Sequence, residues 1–220
     1  MPGRHRRCSN TPSFFGLGEM MNVPGILNGN PEACSKVAAA LNLDKPVDGH
    51  APLYTGADLE AYARAGIRTD HECTTTAELR ERISLGMYVS IREGSLARNL
   101  LPLIENLTAD LSRRCSFCTD DRHLADTLER GHINGMLAMA VKAGIRPVDA
   151  VRMATLNTAE CYGLRTAARL RPDAEPTCCL STTSRTLGRS PSGRRAGLSP
   201  ATGALSSVRQ NRSPDFTRTR

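Results

Sequence analysis

Residues 67–86 read IRTDHECTTTAELRERISLG. The opening IRTDHE (67–72) is a short extended run that ends near His71, and TTAELRERISLG (75–86) follows as a helix closed by Gly86. A strand that ends on a histidine and feeds a helix is one βα unit. By itself the stretch leaves two readings of His71 open: a metal ligand at a strand end, or a solvated residue in an acidic loop. The fold and the role of His71 both turn on whether the unit recurs.

It recurs on both sides. Upstream, FFGLGE (14–19) is short and apolar and ends on a carboxylate. Asn30 and Pro31 then suit an N-cap and first helical turn for PEACSKVAAALNL. PVDGH (46–50) is the next extended run and ends on His50, after which Thr55 stands where it can cap TGADLEAYARAG. Downstream, MYVSIREG (87–94) has the β-branched and aromatic content of a buried strand. SLARNLLPLIENL reads as a helix that Pro102 interrupts or starts, and RRCSFCTDD (113–121) as a last strand ending on two aspartates. HINGMLAMAVKAG and PVDAVRMATLNTAECYG, with Pro147 at its start, close the region as helices. Five strands alternating with helices imply a parallel sheet covered by helices, an α/β fold.

The net charge of +7 is unevenly placed. Residues 1–15 hold three arginines and no acid, residues 16–164 are net −4, and residues 165–220 carry 11 arginines against Asp173, Glu175 and Asp215. The expected organisation is a disordered basic leader (1–13), an ordinary, mildly acidic domain (14–164), and an Arg/Ser/Pro-rich tail (165–220) too poor in apolar residues to offset its ordering entropy. That tail has the look of a translated frameshift. Its one aromatic, Phe216, offers no stacking platform, so its charge does not argue for nucleic acid. No run reaches the ~18 apolar residues of a membrane span, and no apolar segment follows MPGRHRRCSN as in a secretory signal. The eight cysteines therefore read as reduced thiols of a cytoplasmic protein. CSFC (115–118) lies in a strand, where sulfurs at i and i+3 face opposite sides, which is not redox-pair geometry.

Four of the five strand candidates end on a hard or borderline ligand: Glu19, His50, His71, and the pair Asp120–Asp121. C-terminal ends of parallel strands converge on one face, where such folds build their sites, and these are ligand types for a divalent metal. Local alternatives stand beside this reading, since Glu19 could cap a helix and His50 could sit in a turn made by Gly49 and Pro52. Glu93, at the end of the remaining strand, could orient a ligand or substrate. His5, His123 and His132 carry no role.

GLGEMMNVPGILNGNP, KPVDGHAP, AGIRTDHECTT, LGMYVSIREGS, RRCSFCTDDRH, GHINGMLAMAVKAGI and AVRMATLNTAECYGL, in this order, resemble the bacterial adenine deaminase branch of the amidohydrolase superfamily over about residues 16–164. The resemblance implies a metal-dependent (β/α)₈ barrel of which this chain holds the C-terminal five βα units. It implies that Glu19 is a bridging carboxylate, that His50 and His71 are ligands, and that Asp120 binds metal and moves protons. The implied cofactor is manganese or iron in preference to zinc, and the implied reaction is adenine plus water to hypoxanthine plus ammonia, a step of purine salvage. No His-x-His pair, which completes the family's metal site, occurs in the sequence. Three readings stay open: an active adenine deaminase, a catalytically inactive remnant, and a hydrolase of another cyclic amidine or amide. Open sheet edges imply aggregation or a homo-oligomer.

Overall fold

The computed structural model of the chain describes residues 15–164 and, by backbone alone, Ala196–Leu198 and Leu205–Val208. The leader (1–13) and the tail (165–220), for which the sequence implies disorder, lie outside the described residues, apart from those two segments, which pair antiparallel.

Five short strands lie parallel in chain order: β1 (Leu17–Met20), β2 (Val47–Gly49), β3 (Thr69–Asp70), β4 (Tyr88–Arg92) and β5 (Cys115–Cys118). β1 pairs with β2, and β3 with β4 and β4 with β5. The two groups join through a single bridge between Val47 and Ile67. The mixed α/β character with parallel strands expected from the sequence is present. Met20, Val47, Val89, Ile91, Cys115 and Phe117 face the helices and are buried. The alternate positions Asp48, Thr69, Ser90, Arg92, Ser116 and Cys118 form a polar opposite face, on which the hydroxyls of Ser90 and Ser116 lie 3.0 Å apart. The period of two along each strand sorts the two sets.

Between β1 and β4 the helices are α1 (Val23–Leu27), α2 (Pro31–Leu41), α3 (Gly56–Arg64) and α4 (Thr76–Ser84). Asn30 caps α2 as the sequence indicates, its side chain accepting from the Glu32 and Ala33 amides at 3.0 and 3.1 Å. Thr55 stands at the N-cap of α3 without a side-chain cap bond, and the Gly56 amide donates instead to Glu81 at 2.6 Å. Thr75 and Glu78 form a reciprocal capping box on α4. One apolar cluster gathers α1, α2 and α3 over β1 and β2, and a second lies over β4 and β5.

After β4 the structure departs from the sequence reading. The helix expected over 95–107 shrinks to α5 (Leu100–Ile104) because Ser95, Leu96 and Asn99 bond to Asp126, Asp121 and the Cys73 carbonyl. Pro102 fits the first turn, where its missing N–H has no helical partner to lose. Two further short helices, α6 (Ala109–Ser112) and α7 (Leu124–Arg130), precede and follow β5. After α8 (Ile133–Lys142), the single helix expected from Pro147 divides at Thr155 into α9 (Pro147–Ala154) and α10 (Leu156–Cys161). The buried Asn157 amide donates to the Ser112 and Cys115 carbonyls at 2.7 Å each, tying α10 to the entrance of β5. No helix among the described residues is long and apolar enough to cross a membrane.

Candidate metal centre

β1, β2 and β3 end side by side, and each delivers one donor. Glu19 lies on β1, His50 follows β2 directly, and His71 follows β3 directly. His50 Nδ1 is 3.4 Å and His71 Nε2 is 3.8 Å from the Glu19 carboxylate, and one ligand atom from each of the three residues lies within 4.8 Å of the others. The imidazoles meet edge to face at 5.3 Å between centroids. Two atoms sharing an ion at about 2.1 Å with tetrahedral angles stand about 3.4 Å apart, so the spacing suits one divalent ion. His50 Nδ1 is also buried without a hydrogen-bond partner, an arrangement that costs free energy unless something binds there. Two imidazoles and one carboxylate suit manganese, iron and zinc alike.

The scaffold behind these donors is buried and polar. The Tyr62 hydroxyl accepts from the His50 amide at 3.1 Å and donates to the Met20 carbonyl at 2.6 Å, bolting the ends of β1 and β2 together. Burial pushes its phenol pKa up. Asp70 and Arg82, both fully buried, pair at 2.7 Å. Asp70 Oδ1 accepts the Ala51 and Glu72 amides at 3.0 and 3.3 Å, while Arg82 donates to the Ala51 carbonyl at 2.8 Å. One ion pair thus fixes the backbone on the far side of both histidines. Gly49 sets the approach of β2 to β3, since a Cβ there would stand 2.1 Å from the Thr69 carbonyl oxygen.

Asp120 and Glu93 are placed differently. Asp120, about a third exposed, has one oxygen 3.1 Å from Arg92 Nη1 and stands outside the three-residue cluster. Glu93 is buried and its carboxylate accepts the Leu100 amide at 3.3 Å. Burial pushes its pKa up. Asp121 accepts the Leu96 amide at 2.9 Å, which with neighbouring amides holds its carboxyl below the usual range. A Cβ on Gly94 would strike Asp121 Oδ1 at 1.6 Å, so that loop packs directly on the carboxylate.

Two site residues escaped the sequence reading. Glu72 Oε1 lies 3.4 Å from His50 Nδ1 and 3.3 Å from His71 Nε2. Arg92, on the polar face of β4, grips both oxygens of Glu72, one through Nη1 and the other through Nη2 at 3.1 Å. Glu72 neighbours His71, and strict alternation would turn it away. The sequence carries no signal for it, since IRTDHE reads as extended through Glu72, whereas β3 ends at Asp70 and alternation lapses before His71. The cysteines of CSFC both have pKa values pushed up to about 12 by burial, which keeps them as thiols.

Residues 18–175 match the model of the amidohydrolase family. The chain is 54% identical over 161 residues to an adenine deaminase of Nitratidesulfovibrio vulgaris, 50% over 161 residues to that of Desulfatibacillum aliphaticivorans, and 48% over 158 residues to that of Clostridium acetobutylicum. These alignments cover 72–73% of this chain and 28% of each relative, so the chain spans just over a quarter of the length of the curated relatives it matches.

Proposed function

This chain belongs to the amidohydrolase family, and from that premise we propose that it is a partial adenine deaminase barrel, using a divalent metal to convert adenine and water to hypoxanthine and ammonia. The observation that carries the reading is the convergence of Glu19, His50 and His71 from the ends of three successive parallel strands. On this reading the five strands are the C-terminal units of a (β/α)₈ barrel, and the reaction returns adenine to the purine pool in the cytoplasm.

Glu19, His50 and His71 would hold the ion, manganese or iron in preference to zinc. When bound, such an ion supplies a hydroxide nucleophile near neutral pH. Asp120, partly exposed at the rim, is the proposed proton carrier between the attacking water and the departing amine, and the fourth ligand. Adenine would enter over the polar face of the sheet. Glu93 would orient it at one remove, by holding the loop between β4 and α5 through the Leu100 amide.

A second reading is an inactive remnant that binds metal without turnover. The placement of Asp120 favours it, because Asp120 stands outside the three-residue cluster with one oxygen against Arg92. Purified chain supplemented with manganese or iron separates the two by metal content and by ammonia released from adenine. The deaminase reading expects both, with both lost in His71→Ala. Metal bound with no ammonia selects the remnant, and ammonia released equally by His71→Ala overturns the site.

A further inference from the structure

Distance alone does not separate Glu72 from the metal ligands. Its Oε1 lies 3.4 and 3.3 Å from the two imidazole nitrogens, as near as the Glu19 carboxylate at 3.4 and 3.8 Å. What distinguishes the two carboxylates is their other partners. Glu19 has no cation against it among the described residues other than the two histidines. Glu72 has both oxygens committed to one guanidinium. The same Nη1 reaches one oxygen of Asp120 at 3.1 Å.

Arg92 is otherwise badly placed. It is 11% exposed, its Nε is buried without a partner, and its positive charge stands beside a cluster suited to a cation. Its guanidinium is held by Glu72 through both oxygens and by Asp120 through one. A fixed positive charge there opposes metal binding, so Arg92 acts on the site through the carboxylates it grips.

We infer that Arg92 is a positioning residue that selects the ligand set: it withholds Glu72 from the ion with a two-oxygen grip and restrains Asp120 with a one-oxygen grip. Glu19, His50 and His71 are thereby left as the primary donors, Glu72 stays near the ion's place without ligating it, and Asp120 keeps freedom to turn. The inference rests on the metal reading proposed above. Its signature is opposite to that of a merely structural arginine. Loss of a structural residue weakens metal binding, whereas loss of this one frees an anionic ligand and removes a repelling charge.

The experiment is a manganese titration of the full chain by calorimetry, with folding checked by far-UV circular dichroism. Arg92→Met is expected to bind manganese about tenfold more tightly than the unmodified chain. Arg92→Lys, which cannot grip both Glu72 oxygens, should tighten it by less. Glu72→Gln alone leaves the Arg92 charge unpaired beside the ion's place and should weaken manganese binding, though by less than His71→Ala, and Glu72→Gln added to Arg92→Met should abolish most of the gain, a coupling that a double-mutant cycle measures. If Arg92→Met fails to fold, Glu72→Gln and Arg92→Lys still decide. Glu72→Gln losing manganese as completely as His71→Ala would make Glu72 a ligand and overturn the inference, as would an Arg92→Lys or Arg92→Met chain that binds no more tightly. An unmodified chain that binds no manganese refutes the metal reading and the inference with it. Binding that His71→Ala abolishes and the Arg92 variants leave unimproved refutes the inference alone.

Discussion

Asp70→Ala is the substitution with the largest effect that the structure supports. Asp70 and Arg82 are both fully buried and 2.7 Å apart, and Arg82 Nη1 already lacks a partner. Removing the carboxylate strands a guanidinium in the core, at a cost of about 3–5 kcal/mol. It also strands the Ala51 amide, which is buried and donates only to Asp70 Oδ1, adding about 1–3 kcal/mol. The total of roughly 4–8 kcal/mol is a large share of the about 5–15 kcal/mol that holds a domain together. With a urea dependence of about 2 kcal/mol per molar, the unfolding midpoint should fall by about 2 M or more. The chain has no tryptophan, so far-UV circular dichroism is the suitable probe. The double variant Asp70→Leu/Arg82→Met should recover much of the stability, because no charge is then left buried. It should not recover manganese affinity, because the Ala51 and Glu72 amides that frame His50 and His71 still lack their acceptor. A midpoint shift under about 0.5 M for Asp70→Ala would refute the reasoning, as would full manganese affinity in the double variant.

Gly49→Ala places a Cβ 2.1 Å from the Thr69 carbonyl oxygen, so β2 and β3 must part, and a loss of about 1–3 kcal/mol in urea unfolding with weaker manganese binding is expected. Glu93→Gln should stabilise the chain at neutral pH and lose that advantage in acid. Burial raises the folded-state pKa of Glu93, so its ionisation costs stability above that pKa, and the cost vanishes as pH falls to the unfolded value; unfolding midpoints at pH 7 and pH 4 test the sign. Alkylation of the native chain near pH 7.5, mapped by mass spectrometry, should spare Cys73, Cys115, Cys118 and Cys161, whose thiols burial keeps protonated, until urea is added. Among the described residues β1 and β5 each have one strand neighbour, so the chain should self-associate, and a monodisperse monomer by size-exclusion chromatography with light scattering would count against open edges.

Much of the fold was written in local pattern. Short extended runs ending on Glu19, His50, His71 and the Asp120–Asp121 pair, each followed by a helical run, pointed to parallel strands and to the residues at their ends, because periodicity acts over a few positions. The readings that slipped were those a distant contact decides. Asn157 breaks a helix that its own sequence would continue, by reaching the carbonyls of Ser112 and Cys115. Ser95 to Asn99 leave helical conformation because their partners lie on Cys73, Asp121 and Asp126.

The sequence by itself placed side chains of ligand type, Glu19, His50, His71 and Asp120, at or near strand ends. Only the tertiary structure decided that Glu19, His50 and His71 meet, that Asp120 stands back against Arg92, and that Glu72 joins them. The reason is that side-chain direction follows from alternation only while a strand lasts. β3 ends at Asp70, so the orientation of Glu72 is set by a guanidinium from β4, twenty residues away in sequence and a hydrogen bond away in space.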